Sequence, residues 1–425
     1  MLNLNNSQKK RHLSALTVLM FLNMLGYSIL IPIIPTLFIN KTNPFYILPS
    51  YISDHYSFIL QGLLLAIYAV FVFLSSPVLG ELSDYYGRKK ILNISFFGSA
   101  IGFFLFALAI YEHNIWILFL SRIVDGITGG NISVMQASTI DVSSKEERAK
   151  NIARRSSVMG IAFILGPWIG GMLSSSDVSH FFTPATPFIF AGLLSLIAVF
   201  IINKFLFETV NVGHEDHAHK KFSLKSLHPF NSLKIIRDGY KIGNLRVFFN
   251  VMLIFFIGFG MYSSFSQNLL SLRFGFDEKS IGYYFAYTGI LMTIIQIFII
   301  PRFKNLSPEK ILSFSLPVLA FLFVIYGAFI NNIYVLLVFV FIMVIFIGLN
   351  MVNTNVAIAD HATEGDRGKI FGITSSVQSL AQVIAPILGG FVAAYFSYSA
   401  PFYFSAFFLI LAAIFLWNYK EKRNI

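Results

Sequence analysis

The 425-residue chain contains no cysteine, which excludes disulfides, thiolate metal sites and a cysteine nucleophile. Charge is scarce too: Asp, Glu, Lys and Arg make up 12% of the residues against 56% apolar ones, far from the balance of a soluble globular chain. Carboxylates are the rarer sign, 20 against 31 Lys and Arg, and the net charge is +11. Such an excess can mark a nucleic-acid binder, but the positions of the charges argue against it. All basic residues except Lys41, Arg122, Arg273 and Lys279 fall in segments that a membrane topology places on one side. That asymmetry is the mark of cytoplasmic loops, so no nucleic-acid partner is expected. No nucleophile–base–orienter set, metal-ligand spacing or cofactor motif occurs, so the chain reads as neither an enzyme nor a holder of a cofactor or metal.

What is present is a succession of long apolar runs. A helix needs about 20 such residues to cross the hydrocarbon core. Twelve runs qualify, at 14–39, 58–82, 91–111, 115–140, 154–175, 185–207, 246–271, 280–301, 310–330, 333–359, 369–394 and 399–419. They are continuous rather than alternating, which excludes barrel strands. An even number puts both termini on one side, and the basic residues at both ends make that side the cytoplasm. The expected location is therefore the cell (inner) membrane, with the lipid bilayer as solvent. Lys9, Lys10 and Arg11 precede the first run as in a signal peptide, but that run is too long for one and contains Pro32 and Pro35. It reads as a retained first helix.

Composition changes between the sixth and seventh runs. Residues 208–245 carry several lysines and the tract His214-Glu-Asp-His217-Ala-His219. They read as a cytoplasmic linker with an amphipathic helix near 232–241, and the histidines as a solvated loop rather than a metal site. The expected domains are a bundle over 1–207, the linker, and a second bundle over 246–425. An internal repeat supports two equivalent halves. Residues 140–171 align with 359–390 at a constant offset of 219, matching Asp141 to Asp360, Arg148 to Arg367, Pro167 to Pro386, and Gly170-Gly171 to Gly389-Gly390. Asn131 likewise matches Asn350. The expected fold is all-α: twelve transmembrane helices in two parallel-repeat six-helix bundles.

Three stretches carry a family resemblance. Gly80-Glu-Leu82-Ser-Asp84-Tyr-Tyr-Gly87-Arg88-Lys89-Lys90-Ile-Leu92 resembles the loop between helices 2 and 3 of the major facilitator superfamily, departing from it at Tyr85. Gly166-Pro167-Trp-Ile-Gly170-Gly171 resembles the helix 5 motif of its proton-driven drug exporters, with Ala162 where that family has an earlier glycine. The first run, with Gly26, Pro32 and Pro35, is similar to that of tetracycline-type exporters, but Asn23 stands where they carry an acid. The resemblance implies a twelve-helix drug:proton antiporter of the major facilitator fold, working by alternating access. In that reading Gly80, Asp84, Gly87, Arg88, Lys89 and Asp141 form a conformational latch. Arg88 reaches Asp141, and Asp84 reaches the start of the eleventh helix near residues 368–370.

Within the fourth run, Arg122 and Asp125 lie one turn apart inside apolar sequence. A lone charge at a helix centre costs about 2.5–3.5 kcal/mol, and a close pair offsets part of that. With Asn23 in place of the usual acid, Asp125 is the expected coupling carboxylate and Arg122 its counter-charge. Asn131, Gln136, Gln267, Asn350 and Gln378 are deep amides that could contact substrate, though helix-joining is the alternative for such groups. The expected partners are protons and a small amphipathic organic molecule, and the expected state a monomer. Two other readings stay open: an organic-anion carrier for a carboxylate metabolite or siderophore, with Arg122 on the substrate, and a transport-inactive membrane receptor or scaffold.

Overall fold

The computed structural model describes residues 5–49, 52–210, 245–303, 305–361 and 367–421, with positions 233, 236, 237, 239 and 240 between the halves. The His214–His219 tract and most of the expected 208–245 linker lie outside the described residues.

Among the described residues every regular element is a helix. The first half comprises α1 (Asn6–Ser28) with its short continuation α2 (Ile34–Phe38), α3 (Asp54–Tyr86), α4 (Arg88–Tyr111), α5 (Ile115–Gly129), α6 (Asn131–Val142), α7 (Lys145–Ser174) and α8 (Thr186–Phe205). The second comprises α9 (Leu245–Phe274), α10 (Glu278–Ile294), α11 (Pro308–Ala328), α12 (Ile333–Asp360), α13 (Arg367–Tyr395) and α14 (Ala400–Glu421). They make 12 spans long and apolar enough to cross a membrane. Bulky apolar side chains such as Phe298, Phe321 and Phe407 are exposed on the outside of the spans, where lipid replaces water.

Local sequence sets where the helices begin and break. Asn5 and Gln8 form a reciprocal capping box, so α1 starts well before the apolar run expected from residue 14. Pro32 interrupts the first span with a 3-10 turn, Ile31–Ile33. The fourth run is two helices rather than one. At Gly130 the chain leaves helical geometry (ψ 8°), and a Cβ there would sit 2.7 Å from the Ser76 amide nitrogen. The span of α10 ends in a π-helical turn, Ile295–Ile299, next to Pro301.

Each cluster of buried apolar side chains lies within one half. Leu16, Leu37, Phe106, Phe188 and Ile202 belong to cores of the first bundle, and Phe249, Leu312, Phe323, Val340 and Leu416 to that of the second. We name the two membrane faces by residues at them: the Asn40 face and the Arg88 face. The halves meet near the Asn40 face. There the backbone of α3 at Gly62 lies against Pro386 and Gly390 of α13, and Gly171 of α7 lies against Glu278 and Gly282 of α10. Nearer the Arg88 face, a Cβ at Gly160 of α7 or Gly372 of α13 would meet open space. The halves thus converge near the Asn40 face, while Gly160 and Gly372, nearer the other, are exposed.

Candidate functional site

The fourth span places the deepest charges. Asn114 caps α5 by accepting from the amides of Trp116 and Ile117, which fixes the phase of the helix. Glycines then let neighbours close in: at Gly126 a Cβ would lie 2.8 Å from the Tyr68 carbonyl of α3, and at Gly102 of α4 it would lie 2.8 Å from the Asp125 Cβ. The outcome is a buried ion pair, Arg122 Nη1 to Asp125 Oδ2 at 3.3 Å, with side chains 2% and 6% exposed. Three rings surround the buried guanidinium, Phe106 at 4.6 Å and Tyr68 and Phe103 at 5.8 Å, adding cation–π attraction. Its Nε and Nη2 have no hydrogen-bond partner among the described residues.

Asp125 lines a small polar cavity with Asn23, Tyr27, Tyr68, Ser99 and Ser195. Asn23 Nδ2 donates to Asn131 Oδ1 at 3.0 Å, which ties the position of the absent acid to the first residue of α6. Four expected residues, Arg122, Asp125, Asn23 and Asn131, therefore gather in one place inside the first bundle. The other amides lie elsewhere. Gln136 is half-buried on α6. Gln267 is buried on α9 and donates to the Ser264 carbonyl at 2.6 Å. Asn350 accepts from Ser315 at 2.9 Å and joins α12 to α11. Gln378 donates to Asn355 at 3.4 Å.

Sequence reasoning did not find the polar contacts between the halves. Asn268 Nδ2 donates to Gln61 Oε1 at 2.7 Å, and Gln61 Nε2 returns a bond to Asn268 Oδ1 at 3.3 Å. The Thr36 hydroxyl bonds the Glu278 carboxylate. Glu278, half-buried at the start of a candidate span, is thus a carboxylate that the other half partly covers. The apolar run expected from residue 280 ended short of it, because periodicity says nothing about which loop-edge acid a neighbouring helix will cover. Tyr27 and Tyr68, with ring centroids 5.4 Å apart, were lost among many aromatics for the same reason.

On the Arg88 face, Arg88 is 7% exposed. Its Nε lies 3.2 Å from Asp141 Oδ2, its Nη1 donates to Ser83 Oγ at 2.5 Å, and its Nη2 pairs with Asp84. The Asp84 side chain is 62% exposed. Its expected partners, the backbone amides at the start of the eleventh helix near 368–370, adjoin positions 362–366, which lie outside the described residues. Lys89 Nζ donates to the Asn203 carbonyl at 2.8 Å, and a Cβ at Gly80 would meet Ser133 at an ordinary 3.9 Å.

The helix 5 glycines divide their work. Gly166 and Gly170 press on Ser28, Leu25 and Ile29 within the first bundle, while Gly171 touches α10 of the second. The repeat reproduces the division, with Gly389 against Phe265 of α9 in its own half and Gly390 against Phe58 and Gly62 of the other.

Two equivalent six-helix bundles, joined at one face and carrying charge inside the bilayer, define an integral membrane transporter. The Major Facilitator Superfamily model matches residues 16–327 and 274–424, and the chain belongs to that family. It is 26% identical over 401 residues to the tetracycline resistance protein, class H, of Pasteurella multocida, covering 93% of this chain and 91% of that one. It is also 26% identical over 420 residues to multidrug resistance protein 2 of Bacillus subtilis (strain 168), covering 95% and 94%. Its fold is similar to that of the human organic anion transporter MFSD10 (TETRAN), with a TM-score of 0.68 at 21% identity over 96% of this chain and 99% of that one.

Proposed function

We propose that this transporter exports a small amphipathic organic molecule in exchange for protons, by alternating access between two bundles spanning about residues 1–207 and 246–425. The observation that carries the reading is the one-sided closure: backbone-to-backbone glycine contacts near the Asn40 face and open space at Gly160 and Gly372 toward the other. With the Arg88 face cytoplasmic, as its basic residues require, this is the inward-facing state. Both termini are then cytoplasmic. Similarity to tetracycline and multidrug resistance proteins supports export of an organic molecule.

Asp125 is the residue assigned to coupling. Its carboxylate can be neutralised by Arg122 or by a proton, and a movement of α5 that parts the pair exchanges one for the other. Substrate-driven proton flux in proteoliposomes tests this. The parent should move protons against substrate, and Asp125→Asn should bind substrate but lose accumulation driven by a proton gradient. Accumulation unchanged in Asp125→Asn would make the pair structural. One observation favours an organic-anion carrier as the second reading: the two Arg122 nitrogens left without partners could receive a carboxylate. Preference for anionic over cationic substrates in the same assay would decide for it.

A further inference from the structure

The segment that follows α8 reaches back across the Arg88 face. Arg11 Nη2 donates to the Lys204 carbonyl at 3.0 Å, and the Phe207 amide donates to Nδ1 of buried His12 at 3.1 Å. The next residue, Glu208, places its carboxylate on the N-terminus of α4. Oε1 accepts from the Arg88 amide at 2.8 Å, and Oε2 from the Lys89 amide at 3.1 Å. The same Oε1 accepts from the amides of Thr209 at 2.9 Å and Val210 at 3.2 Å, which folds the segment around its own carboxylate. Thr209 then donates its hydroxyl to Asp141 Oδ2 at 2.9 Å, the oxygen that also faces Arg88 Nε.

Helix α4 has no side-chain cap of its own. Its N-cap is Gly87, at φ 97° and ψ 143°, and a Cβ there would run into the Glu208 carboxylate. Gly87 is therefore required twice, by its left-handed φ and by the anion lying over it. The exposed amides and the dipole of a helix N-terminus favour a carboxylate at that point, and Glu208 supplies it from 120 positions away.

We propose that Glu208 and Thr209 are positioning residues of the Arg88 latch. They hold the backbone of Arg88 from one side and its partner Asp141 from the other, so that the guanidinium stays set to present Asp84. They also tie the start of the connection between the halves to the element that responds to their separation. The proposal rests on the alternating-access reading above, and it adds two residues outside the Gly80–Leu92 stretch.

The absence of native cysteine makes the test direct. Spin labels on single cysteines at Glu147 and Leu306, two exposed positions on the Arg88 face, report the distance between the halves in the full chain reconstituted in lipid. In the parent background, Asp84→Asn serves as the reference perturbation. Glu208→Ala and Thr209→Val should each change the ratio of long to short distances by about five-fold toward the long, the scale of one lost cap for Glu208 and of one lost hydrogen bond for Thr209. Glu208→Gln, which keeps an acceptor but not the charge, should restore part of the ratio. Thermal unfolding of each variant identifies any that fails to fold, and Thr209→Val, which leaves the α4 cap in place, carries the test in that event. If Asp84→Asn shifts the ratio while Glu208→Ala and Thr209→Val leave it at the parent value, the positioning role is refuted and alternating access stands. If no variant shifts it and the parent shows a single distance, the two-state reading fails and takes this proposal with it.

Discussion

At the scale of single residues, energetics follow from what is left when one partner goes. Arg122 and Asp125 are both nearly inaccessible, and removing one member of a buried pair typically costs about 3–5 kcal/mol because the other charge stays buried. Arg122→Ala should therefore lower thermal stability strongly, while Arg122→Ala combined with Asp125→Ala should recover a large part of the loss. A double-mutant cycle by thermal unfolding in detergent measures this, and additive losses would show that the two side chains do not interact. The reciprocal amides behave differently. Gln61→Ala leaves Asn268 unsatisfied between the halves, for a cost of about 1–3 kcal/mol. Because that bond joins the halves near the Asn40 face, the loss should appear as greater access of water-soluble thiol reagents to a cysteine at Thr36, buried against Glu278 of the other half, not as general unfolding.

At the scale of helices, small residues decide which surfaces touch. Gly166 and Gly170 serve contacts inside the first bundle, whereas Gly171 and Gly390 serve contacts between bundles. Overpacking a tight contact typically costs about 1–3 kcal/mol. Gly170→Leu should spend it on bundle stability and lower the unfolding temperature. Gly171→Leu and Gly390→Leu should instead hold the Asn40 face apart and slow transport with little change in unfolding temperature. Equal melting losses for all three would remove the distinction. Much of this was readable from sequence, since the glycine pairs sit in register across the 219-residue repeat. Which glycine of each pair faces inward and which faces the other half was not, because that depends on helix rotation and on partners far along the chain.

At the scale of the molecule, the basic residues predict the Arg88 face inside. Reporter fusions should place residue 225 on the side of both termini and residue 48 on the other; 225 and 48 on one side would end the twelve-span topology. The number of spans and the duplicated halves were legible in the chain alone, whereas the Gly80–Leu92 stretch, expected as a loop, is helical on both sides of a single turning residue, Gly87. Bilayer thickness sets the length of each run, and a short loop's charge sets its side, so these features are local in sequence. The pairing of Arg122 with Asp125 was legible too, because helical geometry joins residues one turn apart whatever surrounds them. The chain alone did not reveal that Asn23 leans on Asn131, that Glu278 lies under Thr36, that Gln61 and Asn268 close the space between halves, or that Glu208 caps a helix 120 positions away. Those contacts join residues on different helices, and helix rotation and crossing angle are settled only when all the packed surfaces are satisfied together.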